Sequence, residues 1–498
     1  MAKICTLFEH TFIYGLSSVA GKGINYLLMP IHTYSIGAAT GQYSIVTRLY
    51  AATALLTLVL TFGMETAMFR YLNKEDEDKQ KVYSTIVTFI GLLSSAFALF
   101  VVFFRNPIAD GLGYSDITLG VMSIFLAMSL DAFQSIPLAY LRQNNRPLKY
   151  MSIYVGKISI IVLLNFLYFI VFPKFQINFL GIYSPEFELN VVYVFYINLI
   201  GSIVSTLLLY HEISIAQFQI DKKLMKKLLR YSWPIVLLGI AGQINKSADK
   251  LLYPYLDTSA QSAVNLSIYG GVVKIAAIMT MLTQAFRNAY EPIVFGNVKD
   301  KNNKDYQAKA MKFYLIFMLL AFLSVMAFLN ILRYLLGGDY WEGLFVVPIV
   351  MASEIIFGVY YNLSMWYKLI DQTYWGACFS GFSCLLYLII LVVFVPIYGY
   401  VACALASLVA NTITMSLSYF VGRIKNPINY PIRDILQYAI LATILALAML
   451  YSNKNLPAMV AIFVNILLLI PFMIYLFKKD ISLSGIKAAL AKKRVSNA

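Results

Sequence analysis

Lys22 interrupts an apolar stretch running from His10 to Tyr34, and its neighbours Gly21 and Gly23 invite comparison with a phosphate-binding loop. The spacing excludes that chemistry. Such a loop has four residues between its glycines and a Ser or Thr after the Lys, whereas five residues separate Gly15 from Gly21 and Gly23 follows Lys22. Five more cations interrupt apolar stretches elsewhere: Arg48, Lys157, Lys246, Lys250 and Lys274. Facing lipid, each would cost about 2.5 to 3.5 kcal/mol on insertion scales, a total comparable with the whole stability of a typical protein. They must therefore face protein or water. Together they predict a cavity that attracts a multiply charged anion, such as a diphosphate, with Lys22, Arg48, Lys246, Lys250 and Lys274 as its substrate-binding residues.

Four carboxylates also fall inside apolar stretches: Glu65, Asp131, Asp249 and Glu354. Glu65 lies near a segment end and is expected to pair with a loop cation. Lys246 and Asp249 are three residues apart, which on a helix predicts an ion pair and leaves Lys250 free on the same face. Asp249, Glu354 and Asp131 are the candidates for coupling to a proton or sodium gradient. Nothing points to covalent chemistry. His10, His32 and His211 have no metal-ligand spacing, and Cys5, Cys378, Cys384 and Cys403 form no disulfide or metal pattern. No catalytic residue, metal or other cofactor is expected. The 37 Tyr and 34 Phe read as interfacial anchors and packing, with none assigned to substrate.

The elements that must hold these charges follow from composition. With 60% hydrophobic and 13% charged residues, the 498-residue chain reads as an all-α polytopic membrane protein. A span needs about 20 apolar residues, and such runs place about fourteen transmembrane helices at 9–34, 43–69, 82–104, 117–141, 148–172, 189–211, 232–256, 262–290, 311–333, 343–368, 374–395, 398–422, 434–452 and 457–477. Short cytoplasmic loops collect Lys and Arg. Of the 39 in this chain, 29 fall on the side that holds both termini and only Arg105, Lys174, Arg333 and Lys454 on the other. Both termini are therefore expected in the cytoplasm, and the first span reads as uncleaved. The net charge of +15 reads as membrane orientation and attraction to lipid headgroups, with no nucleic-acid partner. The outward loop at 173–188 has no His, which argues against a membrane polymerase or ligase.

An internal repeat organises the spans. Lys22, Leu27, Leu28 and Pro30 recur 224 residues later as Lys246, Leu251, Leu252 and Pro254, and Phe69-Arg70 is echoed by Phe286-Arg287. Six spans per copy makes the halves parallel, with a substrate site between them. The domains expected are a six-helix lobe at 1–211, an amphipathic cytoplasmic linker at 212–231, a second six-helix lobe at 232–422, two additional helices at 423–478 and a basic cytoplasmic tail at 479–498. Apart from Lys157, the intramembrane cations fall on the first two helices of each copy. Thr11, Tyr14, Gly15, Ser18, Lys22 and Asn25 share one helical face, and Gly239, Gln243, Lys246, Asp249, Lys250 and Tyr253 form its counterpart.

Twelve-plus-two spans, "FIYGLSSVAGKGINYLLMPIHTYSIGAATGQYSIV" (12–46), "TFGMETAMFRY" (61–71) and "VPIYGYVACALASLVANTI" (395–413) resemble the bacterial polysaccharide flippases of the lipid-linked O-antigen type. These belong to the multidrug/oligosaccharidyl-lipid/polysaccharide exporter superfamily. The resemblance implies a fold like that of the multidrug and toxin extrusion transporters. It also implies alternating access in the bacterial cytoplasmic membrane, with cations on spans one, two, seven and eight engaging the pyrophosphate of an undecaprenyl-linked oligosaccharide. A monomer that works beside polysaccharide assembly enzymes is the family expectation. The lipid II branch shows an Arg-Asp pair on span one, where this chain has Gly21-Lys22-Gly23. Drug-extrusion relatives generally have twelve spans and a less cationic cavity.

Overall fold

In a computed structural model, residues 21, 23–24, 26–72, 78–144, 146–176, 190–296, 303–370 and 372–480 are described. They form helices and connecting turns, with no strand among them. Helices are what a hydrocarbon medium demands, because every backbone N–H and C=O must be satisfied within the segment. The main ones are α1 (Leu28–Ser35), α2 (Gln42–Thr61), α3 (Met64–Leu72), α4 (Lys79–Phe103), α5 (Arg105–Leu112), α6 (Thr118–Gln143), α7 (Pro147–Phe166), α8 (Val192–Leu208), α9 (Lys222–Leu256) and α10 (Ser262–Gly296). They continue with α11 (Asn303–Ala327), α12 (Val347–Leu363), α13 (Tyr374–Tyr398), α14 (Tyr400–Lys425), α15 (Ile432–Asn455) and α16 (Ala458–Lys479).

Among the described residues, eleven helical segments are long and apolar enough to cross a membrane. They match eleven of the fourteen expected spans. The sixth is represented by α8, apolar but only 17 residues long. The seventh lies in α9, where Lys246, Asp249 and Lys250 dilute the hydropathy. Most of the first span lies outside the described residues, as do Lys22, residues 177–188 of the outward loop and the tail from 481.

The chain divides into two compact units. The first takes the described residues up to Lys274 with Leu336–Gly343 and Tyr374–Ala410; the second takes Ile275–Leu335, Leu344–Thr373 and the described residues from Asn411. Within the first unit, α6 packs against α4 and α8, while α9 packs against α2 and α13. The expected surface-lying linker helix is instead the start of α9, which runs unbroken for 35 residues. Its apolar face is covered by protein: Leu224, Met225 and Leu228 are buried with Met64, Tyr71, Val82 and Tyr83 of α3 and α4. Asp221 caps this helix by accepting from the N–H groups of Lys223 (2.9 Å) and Leu224 (3.1 Å). Those N–H groups, Leu224 first, hold its carboxyl below the usual carboxylate range.

Glycines serve at two places in the first unit. The break between α2 and α3 falls at Phe62 (φ +47°) and Gly63 (φ +63°), a left-handed turn that suits glycine. At the far end of α2, Gly270 of α10 makes room for the Thr47 side chain, whose Oγ1 lies 2.1 Å from where a Cβ would stand. Nearby the Ser44 N–H donates to Ser267 Oγ (2.8 Å), and Tyr340 OH donates to the Ile36 carbonyl (2.8 Å).

In the second unit, α11 packs against α12, α15 and α16. Lys312 of α11 pairs with Asp434 of α15 (2.9 Å) and with Asp480 (2.5 Å), which also accepts from Tyr438 OH (2.6 Å). The two additional helices are thus bound to α11 through a shared ammonium.

Candidate functional site

The first unit holds four of the five cations expected to bind substrate, in environments that differ sharply; Lys22 lies outside the described residues. Arg48 is buried, 5% exposed. Its Nη1 donates to the Leu112 carbonyl (2.8 Å) and to Tyr114 OH (3.4 Å), and its guanidinium lies 4.8 Å from the Tyr255 ring centre and 5.4 Å from that of Tyr114. Such a desolvated cation–aromatic cage holds α2 to the segment after α5 and to the end of α9.

Lys250 is not the free cation of its pair. Its ammonium grips Asp249 through both carboxylate oxygens (2.9 and 3.0 Å) and also donates to the Lys246 carbonyl (3.2 Å). Asp249 is 4% exposed and accepts a further bond from Tyr269 OH of α10 (2.7 Å). The pairing expected between Lys246 and Asp249 is thus replaced by one between chain neighbours, because Asp249 points into the helix packing while Lys246 points away and is exposed. Lys274 is half-buried, its ammonium 5.1 Å from the centre of the Tyr43 ring, and its carbonyl accepts from Tyr26 OH.

The carboxylate candidates are separated too. Asp131 of α6 pairs with Lys157 of α7 and accepts from Ser202 Oγ of α8 (2.7 Å), so its charge is matched within the unit. Glu65 of α3 meets Arg142 of α6 at 2.5 Å, the pairing with a cation expected of it. Glu354 belongs to the second unit, half-buried on α12 beside Ser353, whose Oγ accepts from Asn411 Nδ2 of α14 (3.0 Å). Among the described residues, no group of His, Cys, Asp and Glu could hold a metal ion.

Sequence reading missed the aromatic partners of the charges: Tyr43, Tyr114, Tyr255 and Tyr269. A signal existed, since each buried cation requires acceptors or ring faces and this chain is rich in Tyr. Which of the 37 would serve depends on helix faces that no local spacing reveals.

A bundle of long apolar helices carrying charged side chains inside its spans defines a polytopic membrane protein. The profile of the polysaccharide biosynthesis protein family matches residues 7–295, more than half of the chain, and the chain belongs to that family. No curated protein sequence matches it. Among solved structures, the lipid II flippase MurJ in an inward closed conformation is similar at a TM-score of 0.72 and 17% identity, covering 95% of this chain and 100% of that one. An inward-facing multidrug resistance MATE family transporter of the MOP superfamily is similar at 0.62 and 12%, covering 81% and 94%. A MOP superfamily transporter from Pyrococcus furiosus, described as having a binding pocket of reverse polarity, is similar at 0.56 and 13%, covering 83% and 95%. At these identities the likeness is one of fold.

Proposed function

We propose that this protein flips an undecaprenyl-diphosphate-linked oligosaccharide across the bacterial cytoplasmic membrane for O-antigen-type cell-surface polysaccharide synthesis. The observation that carries the reading is Lys246, a cation exposed ten residues before the end of α9. A diphosphate offers that exposed ammonium a multiply charged anion with which to form charge-assisted bonds. Lys22 and Lys274 join it on the helices that begin each repeat, while Lys250 is held by Asp249 and Arg48 by its tyrosines. Family membership supports a polysaccharide cargo.

Translocation needs no covalent step: alternating access exposes the cations to each side in turn. The contact of Thr47 with Gly270 closes the ends of α2 and α10 remote from the basic loops, and cargo release on that side requires it to part. A proton or sodium gradient drives the cycle, with Asp249, Glu354 and Asp131 as the candidates to take the ion. The protein acts as a monomer with cytoplasmic termini, beside the enzymes that build and polymerise the saccharide. Lipid II is the competing cargo, disfavoured by Gly21-Lys22-Gly23; organic-cation export is disfavoured by the cationic helices.

Binding tests the reading. Undecaprenyl diphosphate added to the protein in lipid nanodiscs should bind in a salt-dependent manner, and Lys246→Ala should weaken that binding about tenfold, as expected for one charge-assisted contact. Equal affinity in the folded variant would remove Lys246 from the site.

A further inference from the structure

Within the first unit, α3, α6, α7 and Ser205 of α8 line a cavity of about 260 Å³, and Arg48, Lys246, Lys250 and Lys274 are not among its described lining residues. Two ion pairs stand in its wall: Glu65 with Arg142 at 2.5 Å, and Asp131 with Lys157. Along α6, Arg142 and Asp131 are eleven residues apart, so the charged wall extends about 17 Å through the membrane at the helical rise. The pairs remain accessible, with the Glu65 and Asp131 side chains each 40% exposed. Tyr150 and Tyr154 of α7 complete the lining, their rings 5.8 Å apart and nearly parallel at 8°. The Arg142 side chain is 32% exposed, so its guanidinium also reaches the cavity. Gln134 is closed off, its amide satisfied by Ser202, Ser205 and Thr206.

The charge balance selects the ligand. Among the described residues of the wall each carboxylate is neutralised by its own cation, leaving no net charge there to attract a metal ion, a proton or a phosphate. What remains is a set of strong acceptors and donors beside aromatic rings, suited to a neutral molecule with many hydroxyls and apolar C–H faces. We infer that this cavity is a saccharide subsite, which takes one neutral sugar residue of the transported oligosaccharide through the carboxylates, Arg142 and the faces of Tyr150 and Tyr154. The inference rests on the flippase reading and deepens it by separating sugar recognition from diphosphate recognition.

The experiment compares two probes in nanodiscs: undecaprenyl diphosphate alone and the same lipid bearing one neutral N-acetylhexosamine. Wild type should bind the sugar-bearing lipid more tightly. Glu65→Gln and Tyr154→Ala should each weaken binding of that lipid about tenfold, the loss of one well-made polar or stacking contact, and leave the bare lipid unchanged. Tyr154→Phe, which keeps the ring, should retain the preference and guards against misfolding as the cause. As a measurement free of substitutions, saturation-transfer NMR on wild type should show the ring protons of the free N-acetylhexosamine receiving magnetisation from the protein. Equal losses for both lipids, or no preference in wild type, would overturn the subsite while leaving the flippase reading intact. Binding of neither lipid by wild type would overturn both, and a change confined to sodium dependence would make the cavity an ion site.

Discussion

Arg48 and Lys246 are both cations within apolar segments, yet one is enclosed by rings and carbonyls and the other is exposed. Burial against the Leu112 carbonyl and the rings of Tyr114 and Tyr255 makes Arg48 a structural clamp. Lysine cannot reproduce the planar contacts of a guanidinium, so Arg48→Lys should cost about 2 kcal/mol of stability through the lost charge-assisted bonds and ring stacking. A lower thermal midpoint in detergent, with unchanged diphosphate-lipid binding per folded molecule, is the expected result. Preserved stability with lost binding would return Arg48 to the substrate site. The charges themselves were legible, because hydropathy exposes any Lys or Asp within a span. Their partners were not: Leu112 and Tyr114 lie 64 and 66 residues from Arg48, and Arg142 lies 77 from Glu65. The expected Lys246–Asp249 pair failed because i,i+3 spacing is blind to which residue faces the neighbouring helix.

At the level of helices, the break at Phe62-Gly63 is a feature the sequence displayed without revealing. The pair stands in the stretch 61–71 on which the resemblance to the polysaccharide flippases rests, but an apolar run from 43 to 69 reads as one continuous span. The structure turns the chain there with two left-handed residues, so that α3 joins α4 and the start of α9 in a common core. A Cβ on Gly63 would meet only ordinary contacts, the nearest being Ser232 O and Val236 Cγ2 at 3.5 Å, so the cost of Gly63→Ala is conformational. It should destabilise the protein by about 1 to 2 kcal/mol, with Gly63→Asn milder because asparagine accepts the left-handed region more readily. Thermal unfolding of the three proteins tests this, and an unchanged midpoint for the alanine variant would contradict the turn. The continuity of α9 was hidden for a related reason: its first ten residues pattern as a surface-lying helix, and only packing shows that protein, not lipid, covers Leu224 and Leu228.

For the whole molecule, hydropathy and the one-sided distribution of Lys and Arg made the fold class legible, and eleven spans fall where expected. The compact units were less so, because contacts such as Gly270 with Thr47 and Tyr340 with Ile36 gather pieces of the second half of the chain into the first unit. Such contacts depend on small residues and single hydroxyls that leave no periodic mark. The functional claim belongs to this scale, since flipping requires the assembled protein in a sealed bilayer. Its most direct test is transport of a fluorescent undecaprenyl-diphosphate oligosaccharide across reconstituted liposomes, by wild type and by Lys22→Ala plus Lys246→Ala after both are shown to insert and fold. Wild type should move the lipid, and the double variant should be slower by at least tenfold, about 1.4 kcal/mol or more of lost stabilisation. Equal rates in the two proteins would contradict the account.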